Sequence, residues 1–323
     1  MQCAAALVHG SFKSPGMPLH HPALLENISV HVMRYWKTKE GSRPGGRWSW
    51  CVALLLVVLA GCSFATTAYR NADRIILWKL DHYFDLNRDQ RHDLAQRLTP
   101  VLARHQHEAL PQYETFLGEI RQRVQRGLTG PDIDWAYATY DRLRTDLFER
   151  VVIDSGAFLT SVDAKQVRTL ESALQKDNAK AVRLVQTSAP ERLNKRAQDT
   201  LDLVKEWLGP LAKDQREQIL EWSLALPDVE PTWVAYQQQR RQELVTLLHQ
   251  PRTPEQITRE LRSMFVYHDQ TAPQAYRNAV RQMRENAKTM VLAIDQRMTP
   301  DQRRHAIAKL QRLIDQVHDL QAG

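Results

Sequence analysis

Cysteine is scarce in this chain of 323 residues, which contains three: Cys3, Cys51 and Cys62. None follows Cys62, so residues 63–323 can form no disulfide bond among themselves and no cysteine-based metal site. The chain from residue 62 onward is long enough to stabilise one large domain, or two closely packed lobes, by apolar burial alone. We therefore expect a body that depends on its hydrophobic core and suits an oxidising compartment.

The sequence also lacks the short motifs that identify common catalytic sites. It contains no Gly-x-Ser-x-Gly, no His-Glu-x-x-His, no Glu-x-x-His and no glycine-rich loop for phosphate groups. The nearest metal-like pairs are Asp89 with His92 and Asp315 with His318, each three residues apart and so on one helix face. Because one carboxylate and one imidazole are too few ligands, we predict no catalytic, metal or cofactor site and no enzymatic activity.

Four other side chains could contribute chemistry only if the fold supplied suitable surroundings. His105 and His107 lie two residues apart and would point to nearly opposite sides of a helix, which prevents joint chelation. A single glutamate, Glu108 or Glu114, could act as a general acid in cell-wall cleavage if the fold raised its pKa. The simpler interpretation of both glutamates is solvated surface charge.

No apolar run reaches the roughly 20 residues that a membrane-spanning helix needs. The run from residue 52 to residue 60 has instead the length of the hydrophobic core of a secretory signal peptide. Five basic residues precede this run, as the positive flank of a signal peptide does: Arg34, Lys37, Lys39, Arg43 and Arg47. These features predict an exported protein whose leader is cleaved.

The leader ends in Leu59-Ala60-Gly61-Cys62, which resembles the lipobox of bacterial lipoproteins. The resemblance implies cleavage before Cys62, a diacylglycerol on its sulfur and usually a third acyl chain on its amine. Two or more acyl chains hold a protein stably in a membrane where one is marginal. Ser63 resembles the signal for outer-membrane sorting, because an aspartate at that position favours inner-membrane retention in many bacteria. The alternative is an ordinary signal peptide with a chance cysteine near its cleavage site.

Three segments follow from these features. Residues 1–32 show neither charge pattern nor helical period, and a signal beginning at Met1 would be about twice the usual 15 to 30 residues. We interpret residues 1–32 as a misassigned or disordered extension before a true start at Met33, residues 33–61 as the lipoprotein signal peptide, and residues 62–323 as a helical periplasmic domain.

The charge balance after cleavage argues against a nucleic-acid partner. Residues 1–61 contain six Lys or Arg against two Glu, so their removal lowers the formal charge from +7 to +3. Proteins that bind nucleic acid concentrate a larger basic excess on one face. The local arginine clusters of this chain are more simply interpreted as solvated helix faces.

After Cys62, apolar residues recur with the three- and four-residue spacing of amphipathic helices, and no strand-like alternation competes with it. We predict an all-α fold in which amphipathic helices form successive helical hairpins in an elongated bundle. The few glycines lie mostly where a helix should stop. Pro100 falls inside an apolar period and predicts a kink or a break.

The first helical pattern begins within ten residues of Cys62, so we expect the body to sit close to the bilayer. Arg70, Arg74 and Lys79 could touch lipid headgroups, together with Trp78. Burial in the core is the preferred interpretation of Trp78.

Six predicted helix starts show some or all of one pattern: a hydrophobic residue, then a capping residue, then a glutamine or an acid three residues after the cap. The cap side chain accepts an amide hydrogen bond from the first turn while the later side chain reaches back, which makes a capping box. The six copies end 34 to 49 residues apart, at Gln90, Asp132, Gln166, Gln215, Gln256 and Gln302. A period near 40 predicts one helix pair per unit, although Ala212 in the fourth copy cannot cap.

Two resemblances emerge from these segments. Residues 69–73 (Y-R-N-A-D), continued by residues 84–86 (F-D-L) and Gln90, resemble the opening of an uncharacterised bacterial lipoprotein family of unknown function, and residues 105–113 resemble its second landmark. This resemblance implies a location and an all-helical body. Separately, the capping boxes resemble the Leu-Thr-x-x-Gln motif of helical periplasmic stress chaperones, whose cradle binds unfolded clients. No copy here combines Leu, Thr and Gln.

Three functions are compatible with these features. The preferred one is a non-enzymatic binding or scaffold protein of the cell envelope, anchored by lipid on Cys62 to the outer membrane, facing the periplasm, with a protein or cell-wall partner. The second is a chaperone-like envelope stress protein. The third is a helical hydrolase or metal enzyme of the cell wall, which would need a cleft that gathers two carboxylates or several histidines.

Overall fold

The computed structural model describes residues 66–322. The predicted extension, the signal peptide, the lipobox residues Leu59, Ala60 and Gly61, and the predicted lipid-attachment residue Cys62 lie outside the described residues. Their assignments therefore stay predictions.

Helices account for nearly all of the described chain, and no strand occurs within residues 66–322, so the all-α prediction is confirmed. A short helical stretch, residues 66–70, precedes the first full helix. The α-helices are α1 (Ala72–Phe84), α2 (Arg88–Arg104), α3 (Leu110–Arg126), α4 (Gly130–Leu159), α5 (Ala164–Gln186), α6 (Ala189–Leu208), α7 (Lys213–Leu224), α8 (Glu230–Leu248), α9 (Pro254–Leu261), α10 (His268–Thr271), α11 (Gln274–Gln296) and α12 (Pro300–Ala322). Two π-helical turns, π1 (His105–Ala109) and π2 (Arg262–Val266), lie directly after α2 and α9.

Helices that follow one another, such as α1 with α2 and α6 with α7, pack as hairpins. Other extensive contacts join helices far apart in the chain: α3 with α12, α4 with α9, and α5 with α8. One large core lies between α1, α2, α5, α8, α9 and the C-terminal half of α4, and a second lies between α3, α6, α7 and α12. The last helix thus returns to an early one, so both halves of the chain contribute to the second core.

The apolar spacing of each helix explains which face is buried. In α12, for example, Ala306, Leu310 and Ile314 are four residues apart and all buried. A spacing of four places these side chains on one stripe of the helix. Burying a side chain the size of leucine stabilises the fold by about 1.5 to 3 kcal/mol, so such a stripe holds α12 against α3 and α6.

We predicted a kink or a break at Pro100, and the break does not occur. Helix α2 continues through Pro100 to Arg104, and the altered hydrogen-bond pattern begins instead at His105. Gly127 and Gly209 do follow helix ends, as predicted, with positive φ angles that suit glycine.

Gly118 and Gly156, in contrast, lie inside α3 and α4. Gly156 is needed for a close helix contact: a Cβ atom there would lie 2.1 Å from Oγ1 of Thr258 and 2.9 Å from the backbone oxygen of Pro254.

The capping boxes form largely as predicted, and four of their glutamines also pair across the fold. The N-terminal clasp joins Gln90 to Gln166: each side-chain amide donates to the other's carbonyl oxygen, at 2.9 and 2.6 Å. The C-terminal clasp joins Gln215 to Gln302 in the same way, at 3.0 and 2.9 Å. Each clasp therefore locks two helix N-termini together, those of α2 and α5 or those of α7 and α12.

The clasps satisfy every polar atom of the amides. In the N-terminal clasp, each carbonyl oxygen also accepts from the N–H of its own cap residue, Asn87 or Asp163, at 3.2 and 3.1 Å. Each amide group also donates to a backbone carbonyl two residues before the partner's cap, which is Ser161 for Gln90 and Asp85 for Gln166. A buried amide stabilises a fold only when it is satisfied in this way.

The C-terminal clasp repeats this pattern with the backbone oxygens of Arg297 and Pro210. Ala212 provides no capping side chain, but its N–H still donates to Gln215, at 3.0 Å. In chain order, the first and third capping motifs pair, the fourth and sixth pair, and the second and fifth stay outside both clasps. The described chain thus contains two similar arrangements of three motifs each.

Gln166→Ala should lower the free energy of unfolding by about 2 to 3 kcal/mol, because it leaves the buried amide of Gln90 without its partner and removes a cap bond. The matched control is Gln256→Ala, since Gln256 accepts from Thr253 N–H at 2.9 Å and lies outside both clasps. That change should cost about 1 kcal/mol or less. Urea unfolding followed by circular dichroism measures both values, and equal losses would contradict the role assigned to the clasp.

Gly156→Ala should destabilise the protein by about 2 kcal/mol, because the added methyl group collides with α9 and the backbone there cannot easily give way. Gly118→Ala is the control, since nothing lies within 4 Å of the position that its added methyl group would take. Alanine should stabilise that interior helix position by about 0.5 to 1 kcal/mol. Thermal unfolding should show a lower melting temperature for Gly156→Ala and a higher one for Gly118→Ala. Changes of the same sign in the two variants would be inconsistent with the contact at Gly156.

Candidate functional site

The exposed face of the first helical segment carries two arginines, a tryptophan and a histidine. Arg70, Arg74, Trp78 and His82 follow one another at four-residue intervals and are all exposed. We call these four residues the α1 stripe. Trp78 is 48% exposed, so its interpretation as a core residue is wrong. Arg70 and Arg74 form no ion pair with any described residue.

Lys79, the residue after Trp78, is buried in the fold with 6% exposure. Its ammonium group lies 5.0 Å from the centre of the Tyr83 ring. Burial lowers the pKa of Lys79, partly offset by the negative charge of Asp177. We predicted that three basic residues could touch lipid headgroups, and of these Lys79 is buried and so unavailable for such a contact.

A groove of about 480 Å³ runs along α5 and reaches α1 at His82. We call it the α5 groove. Its walls are mostly basic and hydroxyl side chains of one helix face: Lys165, Arg168, Thr169, Ser172, Lys176 and Lys180, together with Ala173 and Asp177. Four full positive charges therefore surround one carboxylate.

Ion pairs within the described chain leave two of these cations free. Lys165 pairs with Asp85 at 3.1 Å, and Lys180 pairs with Asp177 at 3.3 Å. Arg168 and Lys176 have no carboxylate partner among residues 66–322. They lie eight residues apart, which is about 12 Å along a helix. Such spacing suits an anion with more than one oxygen, or a row of anions.

The carboxylate of Asp177 is neutralised by its own neighbours. Tyr83 donates a hydrogen bond to it at 2.7 Å. Burial opposes ionisation, but the hydrogen bond from Tyr83 and the charge of Lys180 outweigh it and lower the pKa of Asp177. Asp177 is therefore ionised and paired at neutral pH, and it does not cancel the charge of Arg168 or Lys176. The groove is equipped to bind an anion.

A second polar cluster connects the start of the described chain to the body. Nδ1 of His105 lies 2.9 Å from the hydroxyl of Tyr69, and Nε2 lies 3.3 Å from the hydroxyl of Tyr113. His105 begins π1, and Tyr113 lies one turn into α3. π-Helical turns are frequent at functional positions. Here the turn places the imidazole between two tyrosines.

Burial explains the protonation state of this cluster. Desolvation lowers the pKa of His105 to about 4, with a smaller contribution from the charge of Arg150. Burial also raises the pKa of Tyr69 and of Tyr113, each to about 12. At neutral pH the imidazole is uncharged and donates through one nitrogen while it accepts through the other. The cluster therefore ties Tyr69 to the body by hydrogen bonds between neutral groups.

The fold separates the metal-like pairs of the sequence. Nε2 of His92 lies 3.0 Å from the side-chain nitrogen of Gln96. It does not meet the other Asp–His pair. His318 lies 3.4 Å from Glu114. No group of three or more His, Cys, Asp or Glu side chains within residues 66–322 is arranged to hold a metal ion.

The glutamates considered as general acids are engaged at the surface. Glu108 is 53% exposed and pairs with Arg150. Glu114, 31% exposed, pairs with His318 and accepts from Gln321. His107 is exposed, whereas His105 lies between Tyr69 and Tyr113. The geometry supports the simpler interpretation of both glutamates as surface charge.

Sequence reasoning missed the α5 groove. The signal was present, because positions 165, 168, 172, 176 and 180 share one helix face. That pattern marks the solvent side of any amphipathic helix. Only the position of α1 beside α5 makes it the wall of a groove.

The fold and the groove define an all-helical protein with a cationic surface groove. The chain belongs to DUF6279, a family of unknown function, whose model matches residues 82–277. This match confirms the predicted membership of an uncharacterised family. It includes the α5 groove, the N-terminal clasp, His105 and Tyr113. No curated protein and no solved structure matches the chain. None of the described helices is both long enough and apolar enough to span a membrane.

The stability of the protein should fall between pH 7 and pH 5 partly through His105. Its folded pKa of about 4 lies below the unfolded value of about 6.5, so the unfolded chain binds more protons in that interval. This group should account for up to about 2 kcal/mol of the loss, at about 1.4 kcal/mol per pKa unit.

His105→Gln should therefore lower the free energy of unfolding at pH 7 and flatten its dependence on pH. His107→Gln, an exposed position in the same π-helical turn, should keep the wild-type slope. Urea titrations at both pH values provide the comparison. An unchanged slope in His105→Gln would show that this imidazole is not the responsive group.

Proposed function

We propose that this protein is a lipid-anchored binding or scaffold protein of the bacterial cell envelope. In this proposal, lipid on Cys62 holds it in the outer membrane, and the helical body faces the periplasm. The body acts without catalysis and engages an envelope component or a protein partner.

The observation that carries the proposal is the attachment of Tyr69 to the body. Its hydroxyl is hydrogen-bonded to His105, and its side chain packs against the apolar cluster between π1, α3 and α4. Only six residues lie between Cys62 and Tyr69, so the two are at most about 25 Å apart even in a fully extended chain. A lipid on Cys62 would therefore keep the α1 end of the body within a short distance of the bilayer.

The side chains of the α5 groove support binding rather than reaction. It presents ammonium, guanidinium and hydroxyl groups, and its carboxylate is held in an ion pair. A hydrolase would need an acid or base free to exchange a proton with a substrate.

A chaperone cradle has less support from the described surface. The large exposed apolar side chains among residues 66–322 are Trp78, Ile153, Leu224 and Tyr267, which lie on different elements. Binding of unfolded clients would favour a contiguous apolar surface instead.

Cys62→Ala should abolish processing at residue 62 and release the protein from the outer-membrane fraction. Cys51→Ala is the matched control, because it removes the neighbouring thiol of the leader and should leave anchoring intact. Mass spectrometry of the N-terminus and membrane fractionation give the two readouts. A bare thiol on Cys62, or outer-membrane recovery of Cys62→Ala equal to wild type, would contradict the proposal. A crosslinking pull-down that compares the wild type with Cys62→Ala then identifies the partner.

A further inference from the structure

We infer that the α1 stripe and the α5 groove form one membrane-docking face that binds the phosphate groups of anionic lipids. The inference rests on the proposed function for its location, because the lipid anchor brings this face to the bilayer. The ligand chemistry is a phosphate ester, and the source is the headgroup layer.

The two surfaces are continuous through His82. This residue ends the α1 stripe and also lines the α5 groove. Helices α1 and α5 pack directly against each other, so no other element separates their exposed faces at this point. The stripe begins at Arg70, only eight positions after Cys62. The anchor therefore precedes the stripe at the N-terminal end of α1, and the groove meets the stripe through His82 near the C-terminal end of α1.

The charge of this face is available to an external anion. Arg70, Arg74, Arg168 and Lys176 have no ion-pair partner in the described part of the chain. Each basic residue close to an anionic membrane strengthens association about fivefold. Four such residues on one face are thus sufficient to orient a body that a lipid already tethers.

The acidic residues of the same region are mostly paired. Asp81 binds Arg91 at 2.6 Å, Asp85 binds Lys165, and Asp177 binds Tyr83 and Lys180. Two further carboxylates belong to the same helices: Asp73, at the start of α1, and Glu171 of α5, which lies 3.9 Å from His249. The balance of unpaired charge on the face therefore stays positive.

Trp78 gives the face the chemistry of a membrane interface. Its ring is about half exposed between Arg74 and His82 on the stripe, although burial of an indole in the core is usually favourable. Tryptophan is enriched at membrane interfaces, where the ring meets the acyl boundary and the N–H meets the headgroups. An exposed tryptophan among unpaired arginines fits a lipid surface better than it fits free solvent.

Amine-labelling of the full, acylated protein in vesicles tests this inference. Three samples are compared: phosphatidylcholine vesicles, the same vesicles with phosphatidylglycerol added, and phosphatidylcholine vesicles with inorganic phosphate in solution. Lys176 should react with an acylating reagent about fivefold or more slowly in the anionic vesicles than in the first sample. Lys213, 84% exposed on α7, is the internal control and should react equally in all three.

Equal reactivity of Lys176 in the first two samples would overturn the inference. Equal protection by inorganic phosphate would overturn membrane docking and identify a free anion as the ligand. Vesicle flotation separates this test from the anchor: a protein that floats with Lys176 unprotected contradicts the docking face alone, whereas a protein that does not float contradicts the anchor.

A pair of charge reversals adds a check within the chain. Arg168→Glu should restore the labelling rate of Lys176 in anionic vesicles to its value in phosphatidylcholine vesicles. Arg312→Glu, at an exposed position of α12, should keep the protection. Both positions are on the surface, and circular dichroism confirms folding of each variant. Equal loss of protection in both would indicate a non-specific charge effect and contradict a defined docking face.

Discussion

The two glutamine clasps are the interaction on which the arrangement of the described helices depends. The N-terminal clasp buries both of its glutamines and the C-terminal clasp buries Gln302, and a buried amide is costly if any of its hydrogen bonds is missing. Because Gln90 and Gln166 complete each other's bonding, the starts of α2 and α5 can approach in only one register. Gln215 and Gln302 impose the same constraint on α7 and α12. Apolar burial supplies most of the stabilisation, and the clasps select which helix ends meet.

This register also positions the surface on which the functional proposals rest. The N-terminal clasp begins three residues after α1 ends and brings α5 alongside it. The groove on α5 consequently opens beside the stripe on α1. At the other end of α1, Tyr69 is held by His105, so the short connection to Cys62 leaves the body little freedom relative to a lipid anchor. A buried amide pair and a buried imidazole thus hold in place the surface to which we assign the proposed membrane role.

Part of this architecture was predictable from the chain. The capping boxes involve residues three apart, and the helices follow from apolar spacing, so both can be read locally. The pairing of Gln90 with Gln166 could not be predicted in this way, because the two residues are 76 positions apart in the sequence. A capping box that pairs with another has the same local sequence as one that does not. Trp78 shows the same limit: it lies in an apolar helical period, yet the orientation of α1 exposes it.

By itself, the sequence determined the all-helical class, the helix starts, the candidate leader that ends before Cys62 and the lack of familiar catalytic motifs. These properties depend on neighbours within about four residues or on composition. Tertiary structure alone decided that His105 is a neutral link between two tyrosines and that Arg168 and Lys176 remain unpaired beside α1. The physical reason is that solvation and ion pairing depend on which helices dock, and amphipathic spacing identifies a buried face without identifying the helix that covers it.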